Sequence, residues 1–213
     1  MTAINAVAGK GKHGNFMISI GLDLGKAVDY SAIAVVVRTE TTIHTVGRER
    51  WQVWTERKCE PAELIHIERI KKGTSFTEVV KRVTEVATHK ALGPGRKRLV
   101  VDATGLGSPV MEMVRGARTG CELKPVVITG GTGQRYAGGS WNVSKADLMA
   151  GLRTSMELQD LLIAAGMAET PALVKELTDF GGAGHDDMVM ALALALWGVK
   201  IQTVGERSNV RIV

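Results

Sequence analysis

The segment Met188–Val199, MVMALALALWGV, has no charged residue on any face. At 100° per residue it is apolar all round instead of striped, so as a helix it must be covered on every side. It is too short for a bilayer, which takes about 20 apolar residues, so the cover has to be protein. A chain of 213 residues can supply one generous core around it. Hydrophobic residues at 45% and charged residues at 23% exclude wholesale disorder. Two cysteines, Cys59 and Cys121, are too few for a disulfide framework or a four-cysteine zinc site, and the expectation is two reduced thiols. The balance of 27 basic against 22 acidic residues gives +5, compatible with a polyanionic partner without requiring one. The opening MTAINAVAGKGKHGN breaks into Gly, Lys and His too early for a signal peptide. The expectation is a soluble protein of the cytoplasm with no membrane partner.

Residues 1–14 read as a flexible leader, 15–201 as one α/β domain and 202–213 as a flexible tail. In FMISIGLDLG, Ile18, Ile20, Leu22 and Leu24 alternate with Ser19, Gly21 and Asp23. That period of two predicts a strand with Asp23 on the face opposite the large apolar residues. YSAIAVVV reads as a second strand and TTIHTVGRERWQVW, broadly, as a third, in an antiparallel meander. Ser75 and Glu78 have capping-box spacing, followed by Phe76, Val79, Val80, Val83, Val86 and Ala87 on one helical face. GPGRKR reads as a breaker with RKR in a solvated turn, and LVVDATG as a central strand ending on Asp102. SPVMEMVRGA predicts a helix, KPVVITG a parallel strand, and residues 130–142 a Gly-rich loop. Ser144 with Asp147 caps a helix through about residue 161, Thr170 and Pro171 open another, and GGAGHDD leads into the apolar helix.

The chemistry is concentrated in carboxylates that lie against the most apolar segments. Asp23 lies in the first strand, Asp102 ends the central strand, and Asp186 and Asp187 open the buried helix. Taken singly, each has a plain structural reading. Asp23 suits an early turn, Asp102 a helix cap, and Asp186 with Asp187 the helix dipole. Together they converge, and converging carboxylates beside a core repel one another unless a divalent cation neutralises them. Oxygen ligands of this kind suit Mg²⁺ or Mn²⁺. Adjacent helical residues point about 100° apart, so Asp186 and Asp187 have different tasks, one ligating directly and the other through water or as a cap. His185 is a candidate for orienting a ligand, binding phosphate or shuttling a proton.

The order of antiparallel strands with Asp, helix, strand with Asp and late acidic helix resembles the ribonuclease H-like nucleases. The stretches ISIGLDLGKAVDYSAIAVV, LVVDATGLGSPVMEMV, SKADLMAGLRTSMELQDLLIAA and GHDDMVMALALALW are similar to the C-terminal nuclease domain of phage large terminase subunits. The resemblance covers roughly residues 17–200. It implies an α/β, ribonuclease H-like mixed sheet of five or more strands, an antiparallel meander plus parallel strands, flanked by helices. It also implies a metal-dependent DNA endonuclease with Asp23, Asp102 and Asp187 as metal ligands and Asp186 contributing. Two Mg²⁺ or Mn²⁺ ions would then act on a DNA phosphodiester, with Asp23 bridging. Lys145 falls where that family tends to carry a basic residue after the loop.

The implied partners are double-stranded DNA and the terminase ATPase motor, small terminase subunit and portal, in a bacterial host cytoplasm if phage-encoded. These residues contain no G-x-x-x-x-G-K-[ST], so the expectation is an excised nuclease domain, a split-gene product or a stand-alone prophage relative without a motor of its own. Arg48, Arg50, Arg96, Lys97, Arg98, Arg135 and Lys145 are candidate backbone contacts. The loop bearing Arg135, Tyr136 and Trp141 is the better candidate for gripping DNA. A junction resolvase and a non-catalytic DNA-binding component of a packaging complex are the alternatives. An actin-like ATPase would leave HDD unexplained and need two such subdomains.

Overall fold

Alternation along Asn15–Asp23 (β1) sends Ile18, Ile20 and Leu22 to one face of a sheet and Ser19, Gly21 and Asp23 to the other. The computed structural model describes residues 15–25, 29–46, 53–164, 166–181 and 184–201. The expected leader and tail, and the cations Arg48 and Arg50, lie outside them. The strands that follow are Ser31–Val46 (β2), Val53–Cys59 (β3), Ala62–Ile70 (β4), Arg96–Asp102 (β5), Glu122–Thr129 (β6), Gln134–Ala137 (β7), Ser140–Ser144 (β8) and Leu161–Ile163 (β9). Helices are Phe76–Ala87 (α1), Ser108–Gly116 (α2), Lys145–Glu157 (α3), Thr170–Thr178 (α4) and Asp187–Lys200 (α5).

The sheet order is β7-β8-β6-β5-β1-β2-β4-β9, with β3 paired to β2. β2 pairs antiparallel with β1 on one side and β4 on the other, while β5 pairs parallel with β1 and β6 parallel with β5. The core β4-β2-β1-β5-β6 is the expected α/β mixed sheet, an antiparallel meander plus parallel strands flanked by helices. One face carries α1 and α2 over Ile18, Ile20, Leu22, Ile33, Val35, Leu99 and Val101. The other carries α5, with α3 and α4 beside it, over Ala32, Ala34, Val36, Leu64, Ile67, Val100 and Val126.

Several expectations need correcting. The third meander strand is β4, and TTIHTV instead continues β2, because RTETT holds no turn residue to end the strand. The chain folds back in β3 only after Val46. RKR is not a solvated turn: all three residues belong to β5, and Arg98 is 2% exposed. The Gly-rich stretch is not simply a loop, since β7 and β8 form a hairpin within it. Gly138 and Gly139 both take positive φ (60° and 82°), which a two-residue type I′ turn demands. The helix from Lys145 stops at Glu157, after which the chain enters β9 beside β4. Glu169, not Thr170, takes the N-cap position of α4, with Pro171 in the first turn. The Ser75–Glu78 capping box is present in both directions.

α5 sits on β1 with almost nothing between them. A Cβ on Gly21 would land on the Ala191 carbonyl oxygen and stand 2.6 Å from the Ala195 nitrogen, and one on Gly198 would strike Ser19 and Val100. Both helix ends are held by buried charge of the sign that the helix dipole favours. At the N-terminus, Glu176 accepts from the Met188 and Val189 N–H groups at 3.0 and 3.2 Å and pairs with Arg69. At the C-terminus, Arg98 donates to the Gly198 and Ile201 carbonyls at 2.8 and 2.7 Å and pairs with Glu122 at 3.1 Å.

On the opposite face, Arg82 of α1 donates twice to Glu68 of β4, both bonds 2.8 Å long. Burial alone would raise the Glu68 carboxyl, but His66 and Arg82 outweigh it and hold it at about 2, below its ordinary 4.5. Its contribution to stability is therefore complete above pH 4.5 and is lost as the pH falls towards 2. Glu68→Gln is expected to cost about 3 kcal/mol at pH 7, with the deficit shrinking below pH 4.5 and closing as the pH falls through about 2 in urea titrations. The helix–sheet seam gives a second expectation. Gly21→Ala costs about 3 kcal/mol through overpacking, whereas Gly151→Ala, in open space on α3, gains about 0.5–1 kcal/mol. Equal midpoints for the two variants would show that the seam is not close-packed.

Candidate active site

Strand register assembles the acids into a row. Asp23 is opposite Ala32, and Ala32 opposite Arg69. Leu22 pairs with Val101, so the next residues, Asp23 and Asp102, stand side by side on adjacent strands, about 4.8 Å apart by ordinary sheet spacing. The row Asp102, Asp23, Ala32, Arg69 faces α5. Ala32, the smallest member, is fully buried and leaves room for the first turn of that helix. Asp187, first residue of α5, comes down over this row.

Asp23 is held well above the usual carboxylate range, first by burial and then by the charges of Asp102, Asp187 and Asp186, with Lys145 opposing weakly. Burial also raises Asp102, against the backbone N–H of Thr104, which donates to its Oδ1 at 2.8 Å. That Thr104 hydroxyl in turn accepts from the Ile128 N–H at 2.7 Å and ties the loop after β5 to β6. Asp102 is thus an Asx-turn residue and not the cap of α2, whose N-cap is Gly107. Asp187 is raised by burial, offset by His185 and Arg69. Its Oδ2 is buried without a hydrogen-bond partner, 3.8 Å from His185 Nδ1.

The two acids of HDD have different surroundings. Asp186 is the N-cap residue of α5, makes no side-chain cap bond and pairs with Lys145 at 2.8 Å. Lys145 also lies over the Phe180 ring, 5.5 Å from its centroid. Together with Asp179 and His185 they line a cavity of about 310 Å³ beside the row. His185 meets the Tyr30 ring edge-on at 4.9 Å.

The expected DNA-gripping residues lie elsewhere on the sheet. Arg135 and Tyr136 are on β7 and Trp141 on β8, at the edge strand pair. Trp141 is already engaged, between Tyr136 at 5.4 Å and Trp197 at 5.6 Å. The Gly138–Gly139 turn precedes β8 and so points away from the strand ends that carry Asp23 and Asp102. Tyr136, 56% exposed, keeps a free face. Arg98, among the expected backbone contacts, is buried under α5, and Lys97 donates to the Ala87 carbonyl at 3.0 Å.

Sequence reading missed Arg69 and Glu176. The available signal was Glu176 three residues after the fully buried Leu173, on the inward stripe of α4.

Among the described residues, no three His, Cys, Asp or Glu side chains are grouped closely enough to hold a metal ion as they stand. In kind, the donors fit a hard divalent cation: they are all oxygens, mutually repelling, and one buried carboxylate oxygen lacks any partner. Among the described residues, no helix is long and apolar enough to cross a membrane.

No protein-family model matches the chain, and no curated protein matches it. Among solved structures, Thermus thermophilus RuvC resembles it with a TM-score of 0.38 and 15% identity, over 84% of this chain and 91% of that one. So distant a likeness carries nothing about the chemistry, which rests on the side chains above.

The raised Asp23 carboxyl has a sign that can be checked. The folded protein holds this proton more tightly than the unfolded chain, so stability falls as the pH rises from about 3.8 through the folded-state value. In EDTA, Asp23→Asn should therefore melt higher than the wild type at pH 7, with the advantage vanishing below pH 3.8. A variant that melts lower at pH 7 would show that the carboxylates do not strain the fold.

Proposed function

We propose that this protein is a metal-dependent DNA endonuclease. The observation that carries the reading is the in-register pair Asp23 and Asp102 beneath Asp187, whose buried Oδ2 has no partner. Asp23 would hold the metal together with Asp102 on the adjacent strand and Asp187 above them. Bound there, Mg²⁺ or Mn²⁺ would supply an activated water and neutralise charge on the leaving 3′-oxygen.

The chain's own residues do the positioning. The Thr104 N–H fixes the Asp102 carboxylate, and the cap by Glu176 fixes the turn that carries Asp187. Lys145 stands at the rim with its charge shared by Asp186, where a phosphate oxygen can compete for it. His185, facing both Asp187 and the cavity, is placed to hold a phosphate or relay a proton.

The finer reading is the concatemer-cutting nuclease of a phage DNA-packaging terminase, with little sequence specificity. It rests on the similarity of GHDDMVMALALALW and VDATGLGSPV to that family. On this reading the ATPase motor, the small terminase subunit and the portal are the partners.

The test is cleavage of supercoiled plasmid with Mg²⁺, Mn²⁺ or EDTA, beside a four-way junction. Metal-dependent nicking and linearisation are expected, reduced at least ~100-fold in Asp102→Ala and in Asp23→Asn. Preference for the junction would move the substrate to a resolvase type. Unchanged cleavage by Asp102→Ala, or none from folded protein with either metal, sinks the nuclease reading. Duplex affinity measured in EDTA should fall linearly in log[salt], with a slope of about −0.9 per phosphate contacted. A flat response excludes nucleic acid as the partner.

A further inference from the structure

We infer that Glu176 and Arg69 form a positioning pair that keeps the Asp187 carboxylate open to a divalent cation. The inference rests on the metal-site reading above and extends it to two residues outside the acidic set.

Three features of the structure carry it. First, Glu176 is 5% exposed and divides its oxygens: Oε2 accepts from the Met188 and Val189 N–H groups, while Oε1 makes an ion pair with Arg69 and no hydrogen bond. It therefore fixes the turn that carries Asp187 and holds a guanidinium at the same time. Second, register places Arg69 two strands from Asp23 on the α5 face, and its charge is felt at Asp187. The guanidinium also lies over the Tyr30 ring at 5.1 Å, which limits where it can swing. Third, three charged groups meet here with hydrogen bonding left incomplete: Arg69 Nε, Glu176 Oε1 and Asp187 Oδ2 are all buried without a hydrogen-bond partner, and Arg69 is held by its ion pair with Glu176. An arginine with a spare donor beside a carboxylate with a spare acceptor would ordinarily close on it in a two-pronged pair. Glu176 prevents this by claiming the guanidinium. If Glu176 is made neutral, the guanidinium is released to Asp187 and occupies the position that a cation would take.

This differs from a simple cap. A glutamine at 176 keeps an acceptor oxygen for the helix N–H groups and the same shape, so a cap would survive it. Only the hold on Arg69 is lost.

The experiment is a Mn²⁺ titration of the full chain by calorimetry, with thermal melts in EDTA as the folding control. The proteins are wild type, Glu176→Gln, Arg69→Gln and the double variant. Glu176→Gln should bind Mn²⁺ at least ~10-fold more weakly, in the range for residues that orient metal ligands. Adding Arg69→Gln to it should bring affinity back to within about threefold of wild type, because the competing charge is gone. A double variant as weak as Glu176→Gln would show a purely structural cap and overturn the inference, as would a Glu176→Gln protein that binds like wild type. Should Glu176→Gln melt too low to titrate, Arg69→Gln decides alone: affinity equal to or tighter than wild type supports the inference, and weaker affinity overturns it. Wild-type protein that is folded yet binds no Mn²⁺ fails the metal reading itself, and this inference with it.

Discussion

The structure depends on burying a helix that has no polar face. Every side of α5 is apolar, so the sheet, α3 and α4 must all close around it, and its ends, where unpaired N–H and C=O groups gather, cannot be left to water. Buried ions solve that problem, with a glutamate at the positive end and an arginine at the negative end. Each carries its own counter-ion, Arg69 and Glu122. A buried ion is costly when unpaired, so these four residues are constrained together. Fixing the helix also fixes the acids at its start, so the acidic row is a by-product of the way the core is closed.

Much of this was legible because it is local. The alternation in β1 places Asp23 correctly, since a period of two needs no knowledge of partners. The capping box at Ser75, the strand ending on Asp102 and the all-round apolarity of α5 are likewise short-range signals. What could not be read depends on distant pairing. RTETT lacks a turn residue, but that alone does not say where TTIHTV goes; its continuation of β2 is fixed by the ladder with β3. Arg98 looked like part of a charged turn because its acceptors, Gly198 and Ile201, lie about a hundred residues away. Glu176 went unread for a similar reason, since the N–H groups it accepts from lie 12 and 13 residues further along. The Gly-rich segment held a hairpin signal in Gly138–Gly139, yet its flanking strands are short and polar and lack the usual alternating apolar mark.

The sheet also divides its labour. The α1 face is closed by large aliphatic side chains and one buried ion cluster at Glu68, on the side of the sheet away from the acids. The α5 face is closed by alanines and glycines where it approaches the acids, and by valines and leucines beyond them. Small residues there reflect distance, since any larger side chain would lift the helix off the strand.

That contact has a mechanical meaning. Side chains in an ordinary core act as a cushion, and rotamer changes let a helix rock on its sheet by fractions of an ångström. Between Gly21 and Ala191 there is no cushion, because backbone rests on backbone. The separation of Asp23 from Asp187 is then set by atoms that have no rotamers to change. The acidic row thereby takes on the stiffness of the main chain.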